Sequence, residues 1–152
     1  MPLAMARDIE PFLLFQLAAR KLLEDWLCDH NETPPPRMVP VLANAIGCAA
    51  TSAFTGQTVW SGHPEEALGL AWLLAGSSLG NRSILAARRK AGLTGGEAFL
   101  ADPAMPHYWQ GLRASLDKEY GEFETRHAVT GAKRGFDHFI ACIDEFAALE
   151  AA

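Results

Sequence analysis

Cysteine is scarce in this chain, and the three present (Cys28, Cys48 and Cys142) are odd in number and far apart. They form no CxxC and no Cys/His ligand spacing, which argues against a zinc site or a disulfide framework. Small, buried, reduced thiols in a reducing compartment are the simplest expectation, and with them a cytoplasmic location. Long apolar runs are missing too. Residues 12–19 are largely apolar, but Arg20 and Lys21 end the run well short of the roughly 18 residues that suggest a membrane helix. The N-terminus shows neither the basic region nor the small-residue cleavage pattern of a secretory leader. Positive charge is in short supply: 13 Lys and Arg stand against 18 Asp and Glu, a net charge of −5, so a nucleic-acid surface is not expected. Nor is there a P-loop or a paired-histidine metal motif.

What the chain does have is helical period. At 152 residues, 49% of them hydrophobic and 20% charged, it is long enough for one domain, residues 1–152, around a real core. Residues 9–29 place Ile9, Phe12, Leu13, Phe15, Leu17, Leu22, Leu23, Trp26 and Leu27 at mostly helical spacing, and Pro34-Pro35-Pro36 then breaks the pattern. A second helix is expected over 37–50 with Met38, Val39, Leu42, Ala45 and Ile46 inward. Residues 56–62 read as a loop in which Gln57-Thr58-Val59-Trp60 can pass for a short extended piece. Pro64, Glu65 and Glu66 suit the first turn and positive dipole end of a third helix. That helix runs to Lys90, where Arg88, Arg89 and Lys90 complement the negative end and Gly92 is a natural stop. Thr94 and Glu97 have capping-box spacing and open a short helix through Leu100. Helices over 106–119 and 122–149 complete an all-α, single-domain, multi-helical bundle. Asp137 and Asp144, seven residues apart on the last helix, read as solvent-facing.

The third helix carries the most telling feature. Gly76 and Gly80 sit in its interior, where each costs about 1 kcal/mol relative to alanine. At about 100° per residue, Gly69, Trp72, Gly76, Gly80, Ser83 and Ala87 fall within about 80° of one another, with Leu70, Leu73, Leu74 and Ile84 outside that stripe. A bare stripe of this kind admits a close helix crossing or a flat ligand, and spacing alone favours the crossing.

The run Gly76-Ser77-Ser78-Leu79-Gly80-Asn81-Arg82, preceded by Ala71-Trp72-Leu73-Leu74-Ala75, resembles the distal helix of the bacterial biliverdin-producing heme oxygenases. Phe99-Leu100-Ala101-Asp102-Pro103-Ala104-Met105-Pro106, with Tyr108-Trp109, is similar to the loop and helix that follow it in that family. Ala132-Lys133-Arg134-Gly135-Phe136-Asp137-His138-Phe139 is similar to the family's last helix. Phe12-Leu13-Leu14-Phe15-Gln16 and Leu23-Glu24-Asp25-Trp26-Leu27 resemble an earlier helical region, so the likeness covers most of the chain from about residue 10.

The resemblance implies a heme oxygenase-like bundle with a glycine-containing distal helix and heme as both cofactor and substrate. The implied activity is oxidative cleavage of heme to biliverdin, carbon monoxide and ferrous iron, with electrons from a partner reductase. It implies heme contacts from Trp72, Gly76, Ser77 and Gly80, an aromatic pocket residue at Phe136, and propionate partners among Arg113, Lys133 and Arg134. The family's iron-ligating histidine lies on a helix before the matched region and finds no counterpart here. Residues 1–10 hold no histidine, and His30, His63, His107, His127 and His138 match no ligand position. No catalytic residue and no metal ligand is therefore assigned. The domain is expected to be N-terminally shortened, with apolar surface that a homo-oligomer can cover. The alternative is a non-catalytic helical protein that uses the same groove for heme, a bilin or a partner helix.

Overall fold

The computed structural model describes residues 3–47 and 63–150, with side chains as far as residue 148. Cys48 and the loop expected over 56–62, with its Gln57-Thr58-Val59-Trp60 piece, lie outside the described residues. A 3-10 turn at Leu3–Met5 precedes α1 (Glu10–His30), α2 (Val39–Ile46), α3 (Pro64–Lys90), α4 (Glu97–Leu100), α5 (Ala104–Leu116) and α6 (Glu122–Glu150). No strand occurs among the described residues, as the all-α reading expected, and the helices form one compact unit. None of these helices is long and apolar enough to cross a membrane.

The long helices follow their apolar spacing. In α1, Phe12, Phe15, Leu23 and Leu27 are buried, although Leu22 on the far side of the helix is exposed. In α3, Leu70, Leu73 and Leu74 are buried and Ile84 packs half-buried against the core. Phe12 and Phe99 meet at 6.5 Å between ring centroids, which brings α4 down onto α1.

The short elements depart from expectation for local reasons. α2 stops at Gly47, whose φ of 75° is left-handed backbone that glycine adopts without strain. Ala45 therefore sits exposed and Ile46 half-buried instead of inward. The N-terminus of α2 has no side-chain cap from its own flank. Glu24 of α1 supplies one, its carboxylate accepting hydrogen bonds from the Met38 and Val39 amides. The capping box expected at Thr94 does not form. Gly96, at φ 80°, occupies the cap position, and the Glu97 carboxylate accepts from the Gly95 amide at 3.1 Å. α5 begins two residues earlier than expected because the Asp102 carboxylate takes the Ala104 amide at 2.9 Å.

Arg88 explains part of this loop geometry. Read in the sequence as a complement to the helix dipole, it is fully buried and reaches away from its own helix end. Its Nη1 donates to the Ala4 and Ala6 carbonyls at 2.8 and 2.7 Å, and its Nη2 to the Thr94 carbonyl at 2.8 Å. One side chain thus ties the N-terminal turn and the α3–α4 loop to α3.

The main helix crossing joins α3 to α6. A Cβ on Gly69 would overlap the Ala128 carbonyl of α6, and one on Gly131 would overlap the backbone of Glu66. A Cβ on Gly135 would strike Leu70 and Leu73. The close approach is therefore made by Gly69 and by a second glycine pair, Gly131-x-x-x-Gly135. Beside the crossing lies Glu66, expected only as a helix-start acid. It is buried, and its carboxylate accepts from Arg134 Nη1 at 3.1 Å. Cys142 is buried as expected of these cysteines, whereas Cys28 is exposed because it lies on the outer face of α1.

Candidate functional site

The glycine motif of α3 lies beyond the α6 crossing and splits between two environments. A Cβ on Gly76 would sit 3.6 Å from the Trp109 ring of α5, so an aromatic side chain covers that glycine. Trp109 in turn meets Trp72 at 6.3 Å between ring centroids. Gly80 has nothing within 4 Å of where a Cβ would be and is exposed. Ser78 turns back to donate to the Ala75 carbonyl at 2.7 Å, which satisfies its buried hydroxyl within the helix. Ser77 donates to the Leu74 carbonyl at 2.6 Å and accepts from Arg20 Nη2 at 2.9 Å.

Arg20 was not singled out in the sequence, where a charge on a helix reads as solvated. In the fold it points inward and is only 2% exposed. Its Nε donates to Gln16 Oε1 at 3.0 Å, and its guanidinium carbon lies 5.3 Å from the Phe99 ring centroid. Its Nη1 is buried without a hydrogen-bond partner. Burial disfavours the charged guanidinium, and the Glu24 carboxylate one turn away restores part of what burial removes. Burial likewise pushes the Glu24 carboxyl up, opposed by Arg20, the two α2 amides and Arg37.

Two clefts flank α6 and share Phe136 as a wall. The first, of about 210 Å³, lies between α1, α3 and α6 and is lined by Phe15, Leu73, Phe136 and Phe139. Gln16, Arg20, Ser77 and Asn81 give it a polar side. The second, of about 410 Å³, lies between α3, α6 and the end of α5. Leu68, Trp72, Leu116, Val129 and Phe136 line it, and Lys133 is its one charged lining residue. Of the residues proposed from sequence, Ser77 and Phe136 therefore meet in the first cleft and Trp72, Lys133 and Phe136 in the second. Gly76 lies under Trp109 and lines neither cleft. Gly80 and Arg113 are exposed and line neither, and Arg134 is engaged with Glu66.

The described histidines stand elsewhere. His30 stacks on Trp26 at 4.5 Å, His63 and His127 meet at 3.8 Å, and His107 is exposed. His138 is buried, with Nε2 2.8 Å from the Ala19 carbonyl and 3.5 Å from Cys142 Sγ. A carbonyl only accepts, so His138 Nε2 carries the proton and is not free to ligate a metal. Burial holds the His138 ring below its usual range, and holds the Cys142 thiol up at about 11, a buried and unreactive pair. No group of three or more His, Cys, Asp or Glu among the described residues is arranged to hold a metal ion. Compared with protein-family models, with curated proteins and with solved structures, the chain matches none of them.

Proposed function

We propose that this chain is a heme oxygenase-like protein that binds a tetrapyrrole, heme or a bilin, in the paired clefts beside Phe136. One observation carries the reading. Residues chosen in the sequence by resemblance, Trp72 and Ser77 on α3 with Lys133 and Phe136 on α6, line two apolar clefts that share a wall. The clefts suit the two chemical parts of such a ligand. Trp72 and Phe136 offer aromatic surface to a flat conjugated ring. Arg20 and Lys133 offer positive charge to its carboxylates, and the unpartnered Arg20 Nη1 is a donor in want of an acceptor.

The fit stops at the iron. No histidine among the described residues lines either cleft, so these residues support binding of the macrocycle and not ligation of a metal at its centre. Binding is therefore the activity assigned to them. Heme cleavage is the second reading, and the Gly76-Ser77-Ser78-Leu79-Gly80 motif is what favours it.

Titration of the purified protein with hemin and with biliverdin, followed by absorbance and tryptophan fluorescence, tests the proposal. Saturable binding of at least one is expected, weakened about tenfold by Trp72→Ala and by Phe136→Ala, as loss of an aromatic anchor commonly does. No binding of either compound, or unchanged titrations in both folded variants, overturns it. Verdoheme or biliverdin bands from the hemin complex under oxygen and ascorbate would establish the second reading instead.

A further inference from the structure

α6 presents an apolar seam to solvent. Val129, Phe136, Ile140 and Ile143 are 47%, 52%, 55% and 40% exposed, whereas Phe12, Phe15, Leu23 and Leu27 of α1 and Leu70 and Leu74 of α3 are buried. At about 100° per residue the four fall within about 60° of one another, a single stripe along three turns and more. Beside the stripe runs a second strip, about 40° wide by the same geometry, that holds Arg126, Lys133, Asp137 and Asp144. All four are exposed. Its two positive charges lie toward the N-terminus of α6 and its two negative charges toward the C-terminus.

We propose that this face pairs with the same face of a second copy of the chain, α6 against α6 in antiparallel orientation. Setting Phe136 opposite its own copy places Val129 against the second copy's Ile143, and Ile140 against its Ala132. Every large residue of the seam is then met by an apolar one. The same register brings Lys133 toward the second copy's Asp137 and Arg126 toward its Asp144. Each charge pair is offset by two residues, about 3 Å along the axis, well within the reach of the long cationic side chains. By symmetry both pairs occur twice. A charge strip that changes sign at its midpoint is complementary to its own reversed copy, and this is why the occupant is a second copy and not an unrelated helix. Arg126 also lies 3.4 Å from Glu122 in its own helix, but both groups are open to water and that contact is too weakly held to compete.

The pairing covers Val129, Lys133 and Phe136, which also line the second cleft, so a second copy and a bound ligand compete for this face. The test uses protein without hemin or biliverdin, and its outcome is therefore separate from that of the binding proposal. Sedimentation velocity of the full chain should show a dimer at micromolar concentrations that weakens as salt screens the charge pairs. The double variant Arg126→Glu/Lys133→Glu carries only acids in the strip, and Asp137→Lys/Asp144→Lys only bases. Each alone should be at least tenfold weaker as a dimer, and an equimolar mixture should recover a heterodimer whose mass native mass spectrometry distinguishes. Ile140→Asp, which alters no charge pair, should be monomeric. All these positions are exposed, and circular dichroism checks that the fold is kept. A monomeric parent protein, a mixture that fails to recover the dimer, or a dimer of parental strength in Ile140→Asp overturns the proposal.

Discussion

Gly131→Ala should destabilise the protein by about 3 kcal/mol, the upper end of the usual cost of overpacking. In thermal unfolding that corresponds to a fall of roughly 10 °C for a chain of this size. The added methyl would land on the backbone of Glu66, which a side-chain rotation cannot move aside. α3 cannot easily retreat there either, because the buried Glu66 carboxylate is held by Arg134 of the same helix that carries Gly131. Gly80→Ala should do the opposite and stabilise by up to about 1 kcal/mol, since it meets empty space and restores helix propensity. Gly76→Ala should lie between, because its methyl would make ordinary contact with the Trp109 ring. Chemical denaturation of the three variants measures the order directly. A Gly80→Ala variant as damaged as Gly131→Ala would show that the α3 motif also makes a close approach, and would overturn this order.

Arg88→Met should cost about 3–5 kcal/mol, since three backbone carbonyls lose a charged donor and each buried acceptor left unsatisfied costs about 1–3 kcal/mol. Methionine fills much of the arginine's volume, so the loss isolates the hydrogen bonds. It leaves the Ala4, Ala6 and Thr94 carbonyls without their shared donor. Arg88→Lys should recover less than half of the loss, because a single ammonium cannot reproduce a planar fork that serves three acceptors on two segments. Limited proteolysis should then cut first in the N-terminal turn and the α3–α4 loop, the two pieces Arg88 ties down. An Arg88→Met protein with parental stability would mean that the packing of Ile9 and Leu100 alone seats those segments.

The long helices were legible because α1, α3 and α6 repeat apolar residues over many turns, and tertiary contacts reinforce that period. Gly47 was missed because it sits in an apolar run, Ile46-Gly47-Cys48-Ala49-Ala50, that hides a left-handed stop. The Thr94 cap failed for a tertiary reason: a buried arginine two turns of chain away takes its carbonyl. At the clefts, Trp72, Ser77, Lys133 and Phe136 follow from the resemblance, and the fold divides them between two clefts that share only Phe136 among them. Arg134 was named for its charge, yet charge did not reveal the buried acid on α3 that would claim it. Gly131 and Gly135 repeat the four-residue spacing that drew attention to Gly76 and Gly80, and could have been found by the same rule. Arg20 could have been suspected from Gln16, Arg20 and Glu24, which place three polar groups at successive turns on a helix otherwise committed to the core.

The capping of α2 by Glu24 bears on the order in which the chain can fold. α2 has 8 residues, below the roughly 12–15 at which an isolated helix begins to hold in water. Its first amides are satisfied by a carboxylate 14 and 15 positions back along the chain, on a helix that must already exist to present it. α2 is therefore a dependent element, gained after α1 and surrendered before it. Native-state hydrogen exchange should show its amides opening at lower free energy than those of α1, and equal protection in the two helices would contradict this sequence of events.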